Sequence, residues 1–93
     1  MNSILLIEDN EPIAKGLKYS LEQENFIVTI SNKVQKSKEL LKVNKYDLII
    51  LDITLPDGNG YELCKYIKTN FDIAIHMIES GEAEKVIIDA ENW

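Results

Sequence analysis

The chain has 93 residues, enough for one domain with one hydrophobic core, and 45% of them are hydrophobic and 28% charged, as in ordinary globular proteins. Its net charge of -6 argues against a nucleic-acid-binding surface on this segment. A single cysteine cannot form an internal disulfide, no stretch approaches the ~20 apolar residues that span a bilayer, and the N-terminus lacks a basic signal-peptide region. These features predict a cytoplasmic protein without direct contact with DNA, RNA or a membrane.

The first half of the chain alternates predicted strands and helices, which is typical of a parallel sheet with helices on both faces. The apolar run at residues 4–7 predicts the first strand. Asn10 is expected to begin a first helix with Pro12 in its first turn, and Asn25 to end it in the left-handed conformation. Residues 26–30 then predict the second strand.

The middle of the chain predicts a peripheral helix followed by a buried strand. Ser31 or Asn32 is expected to cap the second helix, which is polar except for three positions, Val34, Leu40 and Leu41. An apolar run then ends at Asp52, as expected for a strand buried on both faces. Asp57 is interpreted as a residue of the turn that follows this strand.

The last part of the chain predicts two more helices and a fourth strand. Asn59 is expected to cap the third helix, whose inward face carries Leu63, Cys64 and Ile67. Residues 73–78 predict the fourth strand, and residues 82–90 a fourth helix. Cys64 lies at helical spacing within the apolar face, so we interpret it as a core residue and not as a nucleophile.

Three carboxylates follow two of the predicted strands. Glu8 and Asp9 end the first strand, and Asp52 ends the third. If these strands are neighbours, the three side chains converge, and like charges at that distance disfavour joint ionisation unless a cation neutralises them. Carboxylate and carbonyl oxygens with retained waters are typical of a Mg²⁺ site, and Mg²⁺ in turn binds phosphate oxygens.

The acidic pair and the motif YDLIILDITLPDGNG at residues 46–60 resemble the receiver domain of bacterial two-component response regulators. The resemblance implies that Asp52 is the phosphoacceptor, receiving its phosphoryl group from a sensor histidine kinase. It also implies that Glu8, Asp9 and Asp52 hold Mg²⁺, with the backbone carbonyl of Thr54 as a further ligand. Such a domain is a signalling module and not a classical enzyme, and control of transcription through an output domain outside this segment is expected.

The predicted fold is a flavodoxin-like, doubly wound α/β domain. Right-handed crossovers can cover both faces of a parallel sheet only if the chain reverses direction across it, and the strand order 2-1-3-4 does this. That order makes the first and third strands neighbours, as the three carboxylates require. Residues 1–93 are expected to form a single receiver domain that lacks the fifth strand and helix of the family.

Departures from the family pattern begin near the fourth strand. The family places a Thr or Ser hydroxyl at the end of that strand, and counting from Asp52 puts Glu79 there, where a carboxylate would repel a phosphoryl group. A one-residue shift would supply Ser80 as the switch hydroxyl. The family's phosphate-pairing lysine lies at the end of a fifth strand that is not expected in this chain, and Lys85, which falls within the predicted fourth helix, does not match that position.

Three functional interpretations follow. The first is a phosphoacceptor domain. The second is a degenerate, phosphorylation-independent receiver that acts as an interaction or dimerisation module, which Glu79 and the absent lysine favour. The third is a flavodoxin-like cofactor-binding domain, which the acidic segment after the first strand disfavours. Without a fifth strand, the fourth would be an exposed edge, so a homodimer or a pair that exchanges elements is expected at that edge.

Overall fold

The computed structural model describes residues 2–78, and none of the helices in this range is long and apolar enough to cross a bilayer. The predicted helix at residues 82–90 lies outside the described residues. Strands and helices alternate as predicted along most of this range. In chain order they are β1 (Ser3–Ile7), α1 (Glu11–Gln23), β2 (Ile27–Ser31), α2 (Val34–Val43), β3 (Leu48–Asp52), β4 (Thr54–Leu55), β5 (Gly58–Asn59), α3 (Gly60–Asn70) and β6 (Ala74–Ile78).

Four parallel strands form the main sheet in the order β2-β1-β3-β6. Among the described residues, the short strands β4 and β5 pair with each other, as an antiparallel ribbon between β3 and α3. The ribbon was not predicted, so β6 corresponds to the strand that was predicted as the fourth. The observed order β2-β1-β3-β6 therefore confirms the predicted order 2-1-3-4 and the flavodoxin-like α/β fold.

Side chains of the inner strands alternate between two hydrophobic cores, one on each face of the sheet. One core packs β1, β2 and β3 against α1, through residues that include Ile4, Leu6, Ala14, Leu17, Leu21 and Ile50. The other packs β1 and β3 against α2 and α3, through Leu5, Ile7, Leu41, Ile49, Leu51, Leu63, Cys64 and Ile67. The inner strands are therefore buried on both faces, which accounts for their unbroken apolar sequences.

Local signals place the ends of α1 and α3 correctly. The side chain of Asn10 accepts a hydrogen bond from the N–H of Ile13 at 3.2 Å, and that of Asn59 accepts one from the N–H of Tyr61 at 2.7 Å. Asn25 has a φ of 69°, the left-handed conformation predicted for it.

The prediction of a local cap for α2 was wrong. The N-cap is Lys33, which makes no capping hydrogen bond through its side chain. Ser31 cannot serve, because β2 continues through it and its buried hydroxyl lies 2.7 Å from the Ser37 hydroxyl and 3.1 Å from the Lys33 carbonyl oxygen. The first turn of α2 is instead capped from another part of the chain.

Candidate functional site

The carboxyl ends of β1 and β3 lie side by side. Ile7 pairs with Leu51 in the parallel register, so the residues that follow them, Glu8 and Asp52, are also neighbours. The alternation of strand side chains sends both carboxyl groups towards the face covered by α1. The apolar strand sequences thus deliver two acidic side chains to one point at the edge of the sheet, where open α/β sheets bind their ligands.

Glu8, Asp9 and Asp52 form a compact group, called the acidic site below. One carboxylate oxygen of each residue lies within 4.8 Å of those of the other two. Glu8 and Asp52 are 1% and 0% exposed, whereas Asp9 is exposed. The structure therefore brings together the three carboxylates that the sequence analysis singled out, two of them shielded from water.

The two oxygens of Glu8 have different surroundings. Oε1 accepts a hydrogen bond from the N–H of Asn10 at 3.0 Å. Oε2 is buried and has no hydrogen-bond partner among the residues that the structure describes. A buried polar atom without a partner costs free energy, because it has lost water and gained nothing in exchange.

The electrostatics of the acidic site favour a proton or a cation. Burial raises the pKa of Glu8 from its ordinary value of 4.5 to about 7, and the neighbouring Asp52 and Asp9 carboxylates act in the same direction. The Asn10 N–H opposes this shift but does not cancel it. A proton on Glu8 can be shared with Asp52, and a positive ion would relieve the same repulsion.

The residues of the acidic site fit a Mg²⁺ ion. All three offer hard carboxylate oxygens, and Glu8 Oε2, which has no hydrogen-bond partner in the described part of the chain, would gain a contact on coordination. Beside the site a cleft of about 270 Å³ opens between the first turns of α1 and α2. Its lining includes Glu8, Asp9, Glu11, Lys15, Asn32 and Lys36. The cleft is large enough for the waters that Mg²⁺ retains when it binds to a protein.

The loop after Asp52 is held close to the site by backbone contacts. The N–H of Ile53 donates to the carbonyl of Ile78 at 3.1 Å, and the carbonyl of Ile53 accepts from the N–H of Gly60 at 3.0 Å. A Cβ on Gly60 would lie 2.5 Å from the Ile53 Cα and 2.6 Å from the Asp52 carbonyl oxygen. Gly60 thus permits a close approach between the start of α3 and the end of β3.

The other predicted site residues have different outcomes. Thr54 lies in β4, opposite Asn59, and a metal contact through its carbonyl stays a prediction. Glu79 and Ser80, proposed for the end of the fourth strand, lie outside the described residues, as does Lys85. Cys64 is buried among apolar side chains, as predicted.

One residue of the loop after Asp52 has a role that the sequence did not predict. Asp57 was interpreted as a turn residue, but its carboxylate accepts hydrogen bonds from the first two N–H groups of α2. The available signal was indirect: Lys33 is a poor capping residue, so α2 required a partner from elsewhere in the chain.

The architecture and the acidic site agree with three comparisons. The family model for the response regulator receiver domain matches residues 4–92. Response regulator ArlR of Staphylococcus epidermidis (strain ATCC 12228 / FDA PCI 1200) is 41% identical over 90 residues, which cover 92% of this chain and 40% of ArlR. This chain therefore spans about two fifths of the length of that relative.

Two solved structures show the same fold. The non-phosphorylated HemR receiver domain from Leptospira biflexa has a TM-score of 0.77 and 31% identity, over 98% of this chain and 75% of that one. The MaeR response regulator bound to beryllium trifluoride has a TM-score of 0.81 and 26% identity, over 98% of this chain and 77% of that one. From its sheet order, its acidic site and these matches, the chain belongs to the receiver domain family of two-component response regulators.

Proposed function

We propose that this receiver domain accepts a phosphoryl group on Asp52 from a sensor histidine kinase, with Mg²⁺ bound at the acidic site. The observation that carries the proposal is the convergence of the carboxylates of Glu8, Asp9 and Asp52 within 4.8 Å, with the side chains of Glu8 and Asp52 shielded from water. Such an arrangement costs folding free energy, so a ligand that offsets the cost is its simplest explanation.

The chemistry is a phosphoryl transfer between two side chains. A carboxylate oxygen of Asp52 attacks phosphorus, an O–P bond forms, and the P–N bond to the kinase histidine breaks. The electron pair of that bond stays on the imidazole, which leaves as a neutral base after protonation. The product is an acyl phosphate on Asp52, and its two negative charges are the new feature that an output surface can sense.

The chain's own residues supply position more than reactivity. β3 holds Asp52 at the sheet edge, and the backbone contacts of Ile53 and Gly60 fix the loop beside it. Glu8, Asp9 and Asp52, with the carbonyl of Thr54, are the proposed metal ligands. Bound Mg²⁺ would supply the positive charge that offsets the carboxylates and stabilises the phosphoryl oxygens.

Family relatives support the wider context of the proposal. MaeR is described as bound to beryllium trifluoride, which on a carboxylate has the tetrahedral shape of a phosphoryl group. The match over residues 4–92 supports a single receiver domain. Since ArlR is longer than this chain, we propose that the whole protein acts in the cytoplasm and controls transcription through an output domain outside this segment.

Intact-mass measurement tests the phosphoacceptor role. The chain is incubated with Mg²⁺ and acetyl phosphate, a small phosphodonor, and weighed. We expect a gain of one phosphoryl group that requires Mg²⁺ and disappears in Asp52→Asn. Asp72→Asn is a matched control, because Asp72 is exposed and lies just before the amino end of β6, whereas the acidic site lies at the carboxyl ends of the strands.

The alternative, a degenerate receiver that works without phosphorylation, predicts a different result. If the wild-type chain binds Mg²⁺ but gains no mass, the interaction module is favoured and the phosphoacceptor proposal is wrong. Loss of Mg²⁺ binding in Glu8→Gln, measured by calorimetry, would separately support the metal site.

We also propose that a second copy of this chain pairs along β6. Within residues 2–78, β6 has one neighbouring strand, and its side chains from Ala74 to Met77 are partly or fully exposed. A strand edge of this kind is a template for pairing. Sedimentation should detect a dimer that Ala74→Lys weakens, because a charge on an edge strand opposes pairing. A monomer at every accessible concentration would contradict the proposal.

A further inference from the structure

The loop after the proposed phosphoacceptor is fastened to the beginning of α2 by a contact that we call the α2 junction, formed by Val34, Gln35, Asp57 and Gly58. Asp57 Oδ1 accepts a hydrogen bond from the N–H of Val34 at 2.7 Å, and Oδ2 accepts one from the N–H of Gln35 at 3.1 Å. Both oxygens of one carboxylate thus bind one helix end across more than twenty residues of sequence.

Within residues 2–78, the Asp57 carboxylate is the side-chain cap of α2. Lys33 occupies the N-cap position with an extended backbone and no capping hydrogen bond from its side chain. The nearby hydroxyls of Ser31 and Ser37 both lie within hydrogen-bond distance of the Lys33 carbonyl oxygen, so they hold the helix to β2 and leave its N–H groups to Asp57. A helix start without these bonds would have orphan N–H donors.

Packing and charge reinforce the junction. A Cβ on Gly58 would lie 2.8 Å from the Val34 Cγ2, so the loop backbone already lies against the first side chain of α2. The N–H of Val34, aided by that of Gln35 and by the charge of Lys33, holds the pKa of Asp57 below its ordinary value of 3.8. The ionised form that makes both hydrogen bonds is therefore the stable one at neutral pH.

The loop that carries Asp57 is short and fixed at both ends. It leaves β3 at Asp52, forms the β4–β5 ribbon, and returns at Gly60, whose N–H binds the carbonyl of Ile53. Any displacement at Asp57 therefore reaches Ile53, the neighbour of Asp52, through a few residues. Resting on the function proposed above, we infer that Asp57 is a positioning residue that holds the phosphoacceptor loop in register through α2.

The competing explanation is that Asp57 only stabilises α2. The two roles can be separated by giving the helix a local cap while removing the hydrogen bonds from Asp57. In Asp57→Ala both hydrogen bonds are lost. In the double variant Asp57→Ala/Lys33→Ser, a serine hydroxyl at the N-cap can accept a hydrogen bond from the N–H of Gln35 or Lys36, within the first turn of α2. Its stability should return, but the two hydrogen bonds from the Asp57 carboxylate to α2 are still missing.

The decisive measurements are the affinity for Mg²⁺ by calorimetry and the initial rate of phosphorylation by acetyl phosphate. We expect both to fall about tenfold in Asp57→Ala, as when residues that support metal ligands are removed. They should stay low in the double variant while its melting temperature recovers. Asp57→Asn retains one acceptor oxygen, so its affinity for Mg²⁺ and its phosphorylation rate should lie between those of the wild type and Asp57→Ala. Recovery of affinity and rate together with stability in the double variant would overturn the positioning role.

Amide hydrogen exchange provides a readout that does not depend on phosphorylation. In the double variant the amides of residues 35–37 should regain wild-type protection, whereas the amide of Gly60, which binds the Ile53 carbonyl, should exchange faster. Unchanged exchange at Gly60 would overturn the positioning role. A wild-type chain that neither binds Mg²⁺ nor accepts a phosphoryl group would overturn the proposed function instead. The exchange data would then still test whether Asp57 holds the loop through the α2 junction. Asp72→Ala is the control for loss of an exposed carboxylate.

Discussion

Two carboxylates, Glu8 in the acidic site and Asp57 at the α2 junction, have opposite surroundings. Glu8 is buried beside two other acids, one of its oxygens has no hydrogen-bond partner within residues 2–78, and its pKa is raised to about 7. Asp57 is exposed, each of its oxygens accepts a backbone N–H, and its pKa is lowered.

The two carboxylates therefore differ in their effect on stability: ionised Glu8 destabilises the metal-free fold, whereas ionised Asp57 stabilises it. Burial and like charge make the ionised acidic site costly without a bound cation, which is typical of a ligand site. Hydrogen bonds to a helix start make the ionised Asp57 favourable without any ligand. The acidic site is expected to respond to metal, and the α2 junction to hold the loop whether or not metal is bound.

The largest expected effect is a loss of stability with rising pH in the metal-free protein. The folded-state pKa of Glu8 lies above its value of 4.5 in the unfolded chain, so its contribution is fully present below pH 4.5 and is lost as the pH rises through about 7. The difference corresponds to about 3 kcal/mol. Urea unfolding in EDTA at several pH values should detect it.

Glu8→Gln is the control for this pH dependence, because the amide cannot ionise. The variant should be more stable than the wild-type chain at pH 8 without metal, and the two should converge towards pH 4.5. Added Mg²⁺ should stabilise the wild type at pH 8 much more than the variant. An equal decline with pH in both proteins would contradict the assignment to Glu8.

The next largest effect is expected for one of two glycines, Gly60 beside Asp52 and Gly58 in the α2 junction. Gly60→Ala should lower the free energy of unfolding by about 2–3 kcal/mol, because the new Cβ would meet the backbone of Asp52 and Ile53, which cannot move aside. Gly58→Ala should cost less, about 1 kcal/mol, because its closest contact is the Val34 Cγ2, and a side chain yields more readily than backbone. Equal losses in urea unfolding would contradict this reading of the loop.

A smaller effect is expected where α2 is fastened to β2. Ser37→Ala removes a buried hydroxyl that donates to the Lys33 carbonyl at 2.7 Å and meets the Ser31 hydroxyl at 2.7 Å. The expected loss is about 1–2 kcal/mol in urea unfolding. Affinity for Mg²⁺ should stay within twofold of wild type, since Asp57 still holds the loop. A tenfold loss of affinity would extend the positioning role to the serine pair.

The smallest change in stability is expected for Asp57→Ala. Its side chain is exposed, so the melting temperature at pH 7 should fall by only a few degrees. Because the folded-state pKa of Asp57 lies below 3.8, its contribution is present above that pH and is lost as the pH falls through the lowered value. The wild type and variant should therefore converge in acid, opposite in sign to Glu8. A constant difference down to pH 2 would contradict the charge-assisted cap.

Much of the fold and of the acidic site could be predicted from local sequence. Apolar runs and helical spacing located the main strands and helices, and Asn10, Asn25 and Asn59 marked helix ends within a few residues of the groups they serve. Glu8, Asp9 and Asp52 were identifiable because Glu8 and Asp52 directly follow apolar runs and Asp9 is the next residue after Glu8. The order of the strands followed from handedness and from the family resemblance, and the structure confirms it.

The cap of α2 could not be predicted in this way. Local reasoning assigned it to Ser31 or Asn32, but Ser31 belongs to β2, and the true partner, Asp57, is separated from Val34 by 23 positions. The β4–β5 ribbon was missed for a related reason: two-residue strands carry no periodicity.

The sequence by itself determined which segments are apolar, that asparagines cap α1 and α3, and which strands end in acids, because these depend on neighbours along the chain. Only the tertiary structure decided that Glu8 is buried while Asp9 is exposed, and that Asp57 binds the start of α2. Solvent exclusion and long-range hydrogen bonds depend on which elements meet in space, and the packing of strands and helices against one another sets that.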